Sequence, residues 1–355
     1  MIAHKIKNIS FVLLFSSVLF ACVDAEHPEY YTIKNFEYED FQEVELLKGK
    51  KLNIKELIAP SNILNLKNHL VVSDNKAENL LFVIDKKSNK VINKLGVFGR
   101  GPGEINHAWS LSSTNTDSTF WVYQLSRQLI SKFSVYQNRP FSQGEIDIIK
   151  MSKSTAGALF TNVTFSSDTS FIGYMIDGKD KYVEFDLNMN KIASYDNWNH
   201  MLKRELPTPV LSGLYQGWLG YKNNKFVMAA LNLDEIEITN KKTGDIISVR
   251  GPVHYEPKFT TGNLNGAPVL ALSNESRGKY MYLEVTCSKN QFFALFSKDS
   301  KFGSYDIFAF DYEGNPIKHY QLDKKVKSLT VDEKAQTFYG LTVGDPEPNV
   351  LVFKY

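Results

Sequence analysis

Apolar and polar residues alternate along this chain in short runs, and the runs recur in a fixed frame. Leu81-Phe82-Val83-Ile84 ends in Asp85, the polar stretch Lys86 to Lys90 follows, and Val91 opens the next run. The frame returns as Val183 to Asp186 before Ile192, Ile236 to Asn240 before Ile246, and Ile307 to Asp311 before Ile317. Each time the next apolar residue stands six positions after the Asp or Asn; Val135 and Phe141 keep that spacing without the acid. Strict alternation over so few residues predicts strands, and an Asn or Gly late in the connecting turn supplies a left-handed backbone. Asn89, Asn190, Gly244 and Gly314 occupy that place.

A second register lies eleven residues upstream. Leu70 to Asp74, Phe120 to Gln124, Phe171 to Met175 and Phe226 to Ala229 are apolar runs at that offset, each preceded by one further apolar segment. In the fifth unit the run Phe292 to Ser297 sits further back, behind a longer loop at Lys298 to Ser304. Four short strands repeating about every fifty residues make a propeller blade. After the fifth unit, Val326 to Val331, Phe338 to Val343 and Val350 to Tyr355 supply three strands of a sixth. The alternating run Phe41 to Leu47 is the candidate for its missing fourth strand, which would close the ring and remove both sheet edges. The prediction is an all-β fold: a six-bladed β-propeller over residues 38–355, with four-stranded antiparallel blades and an N-terminal strand closing the last one. No amphipathic helix of useful length is predicted, and residues 251–279, rich in Gly, Pro and Asn, read as a long loop.

The first 21 residues read as a signal peptide. Lys5 and Lys7 precede an apolar run from Ile9 to Ala21, too short to span a bilayer. The run ends Leu19-Phe20-Ala21-Cys22, which resembles the lipobox of bacterial lipoproteins, where the Cys thiol is diacylated and the chain is cut before it. Residues 22–37 then form a tether. Removing residues 1–21 takes Lys5 and Lys7 from 41 basic residues, leaving 39 against 39 acidic ones. That balance argues against nucleic acid as a partner, because phosphate binding needs clustered Lys and Arg. With Cys22 lipidated, the other cysteine, Cys287, has no partner within the chain; its strand-like setting predicts a buried, inert thiol.

Val71-Val72-Ser73-Asp74, Phe82-Val83-Ile84-Asp85 and the segment Gly96-Val97-Phe98-Gly99-Arg100-Gly101-Pro102-Gly103-Glu104 carry a resemblance to the TolB-like (NHL-like) six-bladed propeller lipoproteins of Gram-negative envelopes. The resemblance covers roughly residues 40–355. It implies the propeller fold and an extracytoplasmic, lipid-anchored location at the outer membrane. It implies no reaction, because propellers host enzymes, binding modules and scaffolds alike.

The glycine-rich segment lacks the Gly-Lys-Ser/Thr ending and following helix of a phosphate loop, so an inter-blade connection explains its glycines. Ser73-Asp74-Asn75, Lys242-Thr243-Gly244 and Ser276-Arg277-Gly278-Lys279 spell three penicillin-binding motifs in the wrong order. No histidines stand at metal-ligand spacing. The richest candidates for ligand contact follow the fourth strands of blades one and four: Arg100, Glu104, His107 and Trp109, then Arg250 and His254. They are expected on one face, with Arg100, Glu104, Trp109 and Arg250 bordering one concave surface. Trp198, Tyr215 and Trp218 lie beside Gly, Asn or Gln and are further stacking candidates. The functional expectation is a lipid-anchored binding or scaffold protein presenting a propeller face to a glycan, peptide or protein, without catalytic residues or a cofactor. The alternative is a hydrolase or lyase acting on a sugar or peptide through a pore calcium held by Glu104, Asn162 and Asp234.

The lipobox is directly testable. Cys22→Ala is expected to abolish incorporation of labelled fatty acid and to release the protein from the membrane fraction; continued labelling of the variant would refute it.

Overall fold

The computed structural model describes residues 31–355 apart from 102–103, 115–116, 137–147, 151–158, 177–179, 196–197, 199–205 and 300–301. The signal peptide, Cys22 and Phe141 lie outside the described residues. Six four-stranded sheets follow one another along the chain. Blade one is Pro60–Asn65, His69–Asp74, Asn79–Asp85 and Lys90–Val97, each strand antiparallel to the last. Blades two, three and four begin with Ser110–Ser112, Phe160–Ser167 and Gly217–Lys222 and repeat the same order. Blade five begins with Tyr280–Cys287, and its outermost strand runs straight on into the innermost strand of blade six as one element, Pro316–Asp332.

The recurring Asp or Asn explains the six-residue frame. Asp186 Oδ1 accepts hydrogen bonds from the backbone N–H groups of Asn188 and Asn190, both at 2.8 Å. Asp311 does the same for Glu313 and Asn315, and Asp85 for Ser88. These donors replace the turn's missing backbone partners, which is how Asx residues stabilise turns. In blade two, where the acid is absent, the Ser134 hydroxyl accepts from the Tyr136 N–H instead. Asn89, Gly244 and Gly314 take the left-handed conformation as expected, but in blade three it falls to Met189. Asn190 there turns its amide back onto Asp186, and the Met189 side chain is buried between blades two and three.

Six apolar clusters among the described residues lie one at each blade junction. Leu70, Val72, Phe82 and Ile84 of blade one meet Leu341 and Val350 of blade six, and equivalent sets occupy the other five interfaces. The innermost strands contact one another in turn around the axis. Side-chain hydrogen bonds cross the junctions beside the axis. The Asn65 N–H donates to Thr330 Oγ1 (3.0 Å), Asn62 Nδ2 to the Ala108 carbonyl (2.8 Å), and Asn162 Nδ2 to the Gly217 carbonyl (3.1 Å).

The N-terminal segment closes the ring differently from the expectation. Tyr31–Asn35, read as part of a tether over 22–37, is a fifth strand lying parallel on Ile246–Arg250 of blade four. Phe41 to Leu47 does not join the last blade: Val44–Leu47 runs parallel to His319–Leu322 on the outer edge of blade five. The fourth strand of blade six is only Lys50–Lys51, antiparallel to Leu351 and Val352. The reason is that the alternation is not half-buried. Val44 and Leu46 are 53% and 73% exposed, whereas Phe41 turns inward onto Phe308 with ring centroids 4.9 Å apart. Phe36 fills the same junction, 5.1 Å from Phe310. Residues 31–51 are thus a strap across three consecutive blades.

Residues 251–279 are not an open loop. Phe259–Leu264 and Ala267–Leu272 form a hairpin through Asn265-Gly266, both at positive φ, the combination a tight hairpin turn requires. Leu270 packs on a short helix, Thr208–Tyr215, beside Gly213. No helix among the described residues is long and apolar enough to cross a membrane.

Phe36→Ala is expected to cost about 3–5 kcal/mol by emptying a buried aromatic site, lowering the melting temperature and exposing residues 31–51 to protease. Val44→Ser, at an exposed position, should leave both unchanged. An unaltered melt for Phe36→Ala would refute the strap's role.

Candidate functional site

The six innermost strands frame a channel along the propeller axis. At one end it opens into a mouth of about 670 Å³. Every blade contributes the carboxyl end of its inner strand and the turn after it, including Asn65, Ser112, Ser166, Tyr221, Thr286 and Thr330. Hydroxyls dominate this lining, and its charges are mixed: Lys67, Lys222 and Lys289 against Asp168 and Glu333. Several polar groups are fixed by neighbours. Thr114 donates to Asp168, and Glu333 accepts from the Lys289 N–H at 2.9 Å.

Further in, the channel narrows to a waist of about 80 Å³, lined by residues such as Asn62, Ser110, Asn162, Trp218, Glu284 and Thr330. Glu284 is the single charged residue of that lining. The Ser328 hydroxyl donates to Glu284 Oε2 at 3.0 Å and itself accepts from the Ile63 N–H. Burial pushes the Glu284 carboxyl up to about 8, against the lowering pull of the Ser328 bond. Behind the waist the Trp218 ring stacks on Trp109, centroids 6.2 Å apart and planes within 23°. Trp109 Nε1, Trp218 Nε1 and Ser110 Oγ are buried without a hydrogen-bond partner among the described residues.

The residues singled out from the sequence fall into separate places. They belong to connections that enter the amino ends of the inner strands, so they sit at the end of the axis opposite the wide mouth. Glu104 folds back so that Oε2 accepts from the Gly101 N–H at 2.7 Å, and a Cβ on Gly99 would strike that carboxylate at 2.0 Å. Arg127 of blade two donates to the carbonyls of Glu104 and Arg100. This segment therefore locks the junction of blades one and two, with the Arg100 side chain exposed. His107 meets Asn75 at 3.1 Å and lies 5.9 Å from Trp109; burial lowers its pKa.

Arg250 and His254 engage the strap instead. Arg250 donates to the Tyr31 hydroxyl and pairs with Glu235 at 3.3 Å, and His254 pairs with Glu37 at 2.7 Å. Arg250 thus faces the strap, away from the segment holding Arg100, Glu104 and Trp109, which corrects the expectation of one shared concave surface. Trp198 and Tyr215 are core residues, 6% and 3% exposed.

The calcium set does not assemble. Asn162 lines the waist, Glu104 caps its own loop, and Asp234 is buried behind blade four, accepting from the Val253 N–H (2.7 Å) and the Tyr282 hydroxyl (3.1 Å). Burial raises Asp234 to about 6. Among the described residues no three His, Cys, Asp or Glu side chains stand close enough to share a metal ion. Asp74 of the Ser-Asp-Asn triplet is fully buried and accepts from the N–H groups of Ile58 and Ala59, a structural role. Cys287 is half-buried and lines the mouth, not fully buried as expected, and desolvation pushes its thiol up to about 12, which favours the protonated form at neutral pH.

Sequence reading missed Glu284 and the mouth. The available signal was one carboxylate inside the otherwise apolar run Met281 to Val285.

A family model for TolB-like six-blade propeller-like proteins matches residues 9–334. The chain belongs to the TolB-like six-bladed propeller family. Its fold is similar to that of a protein from Bacteroides fragilis described as exported, at 13% identity, with 92% of this chain and 98% of that one covered and a TM-score of 0.52. It is also similar to a member of the DUF4221 family from Bacteroides vulgatus, at 13% identity, 86% and 95% coverage and a TM-score of 0.50. No curated protein matches the chain.

The position of Glu284 sets a pH dependence. Its carboxyl is raised in the fold, so the folded state favours the protonated form; that contribution is whole below the ordinary carboxylate range and is lost as pH rises through about 8. Glu284→Gln, which keeps the shape without the charge, is expected to melt like the parent at pH 4 and clearly higher at pH 9. A difference in melting temperature that does not change with pH would contradict this.

Proposed function

We propose that this protein is an exported, lipid-anchored binding protein whose ligand is a polar chain, a glycan or peptide end, taken into the wide mouth of the axial channel. The carrying observation is the mouth itself, where six blades converge on one hydroxyl-rich cavity within the size range of ligand pockets. Its mixed charges and its Ser, Thr, Asn and Tyr side chains suit a ligand that hydrogen-bonds at many points and carries little net charge. The lipobox at Cys22 and the short chain between it and Tyr31 support attachment close to a membrane. The relative described as exported agrees with that location.

Ser113→Trp places an indole at a half-buried position of the mouth, outside the waist and away from the blade junctions' apolar cores. Against panels of cell-wall glycan fragments and short peptides, the parent is expected to bind members of one class, and the variant to lose at least tenfold in affinity with an unchanged melt. Binding that survives the obstruction would place the ligand elsewhere.

A further inference from the structure

The waist is chemically unlike the mouth. Its lining holds one carboxylate, no basic side chain, and one indole backed by a second. Glu284 Oε2 accepts from Ser328 and the Val285 backbone N–H also reaches the carboxyl, but no basic side chain of the waist pairs with it. The volume, about 80 Å³, is two to three times a water molecule's share of liquid. It suits a head group of a few heavy atoms. Mouth and waist share Leu64, Leu111, Leu219, Val285, Thr286 and Thr330, so a ligand held in the first reaches the second without a rearrangement.

We infer that the waist is a subsite for a primary ammonium group, held by the Glu284 carboxylate against the face of the Trp218–Trp109 pair. An ammonium is the complement of this wall on three counts. It supplies the charge that a carboxylate taken out of water lacks, it donates a hydrogen bond that the carboxylate can accept, and a cation is attracted to indole faces. An anion finds no basic side chain in the waist and would stand beside a carboxylate, and an apolar group would offer that carboxylate no donor. The inference rests on the mouth as the binding face and adds the chemistry of its deepest point: the ligand's terminus carries an amine, as an amino sugar side group or a peptide amino terminus does.

The proton balance follows from the same geometry. Glu284 is raised to about 8, so in the free protein at pH 7 it is mostly protonated, and an ammonium binds only the ionised form. Binding at pH 7 therefore releases close to one proton. Affinity rises with pH as the carboxyl ionises, by roughly fiftyfold between pH 6 and 8. The groups facing Glu284 do not overwrite this. From blade six it meets Ser328 and Thr330, from blade four Trp218, and across the axis Asn62, Ser110 and Asn162, none of which titrates near neutrality. The charged groups nearest along the axis are Lys67, Lys222, Lys289, Asp168 and Glu333 at the mouth, and Lys327 beside Asp74 at the other end.

Ethanolamine, an ammonium on two carbons, is a suitable probe, with ethylene glycol as its uncharged counterpart. Titrated into the purified protein, ethanolamine is expected to change the tryptophan emission and to bind with heats that differ between phosphate and Tris at pH 7 by about one released proton, while ethylene glycol does neither. Glu284→Gln should abolish both signals. Ser328→Ala, which keeps the carboxylate but removes its hydrogen bond, should move the pH midpoint of binding upward. Equal responses to ethylene glycol or to potassium chloride, or ethanolamine binding that persists in Glu284→Gln, would overturn the inference. The probe is too small to need the mouth's walls, so Ser113→Trp, which lies outside the waist, separates the two readings: glycan or peptide binding that is lost there while neither parent nor variant responds to ethanolamine sinks the ammonium subsite and leaves the mouth standing.

Discussion

Each blade of this propeller is apolar on both faces, and that constraint governs the rest of the molecule. A sheet that must be covered on two sides has no stable arrangement as a stack with ends, because the first and last members would each show water a hydrophobic face. Closing the stack into a ring satisfies all six at once. The clusters between Leu70, Val72 and Phe82 on one side and Leu341 and Val350 on the other are the residues that make first and last neighbours. The channel is a by-product of the same closure. Six sheets twisting around an axis leave their innermost strands too far apart to hydrogen-bond along their length, so side chains of Asn62, Asn65, Asn162 and Ser328 bridge the gaps.

The polar chemistry gathers where this bridging is incomplete. A blade core rejects charge, but the inner strand presents one edge to the channel, and Glu284 stands there in the otherwise apolar run Met281 to Val285. The surrounding walls raise its carboxyl instead of neutralising it with a lysine. Elsewhere among the described residues a buried carboxylate meets backbone N–H groups, as Asp74 and Asp234 do, or a lysine. Lys181 lies 2.5 Å from Glu237 and Lys86 the same distance from Asp332. The contrast between those satisfied pairs and the unpaired carboxylate on the axis is what marks the waist as a place for something else.

The blades were legible because the repeat is enforced locally. An Asp or Asn whose side chain accepts turn N–H groups needs the same spacing each time, so Asp85, Asp186, Asn240 and Asp311 wrote the frame into the sequence. The strap was not legible. Val44 and Leu46 alternate like a half-buried strand yet face solvent, because a fifth strand on a propeller's outer edge is paired through its backbone and asks little of its side chains. The mouth left no motif at all. Its residues come from six places spread over more than two hundred positions, each an ordinary Ser, Thr or Asn after a strand, and only closure of the ring makes them neighbours. Arg100, Glu104 and Arg250 looked functional because charged residues stand out beside glycines; Glu104 caps its loop at the blade junction, Arg250 holds the strap, and the Arg100 side chain is exposed.

The strap also fixes an order of events. Residues 31–51 rest on Ile246–Arg250, His319–Leu322 and Leu351–Val352, partners translated some two hundred to three hundred residues later. A segment made early is therefore seated late, and blade six stays one strand short until Lys50–Lys51 and Leu351–Val352 have met. Such distant pairings make for slow folding and for a long interval in which open sheet edges are exposed. A chain of this design depends on being kept from its neighbours until its two ends have met.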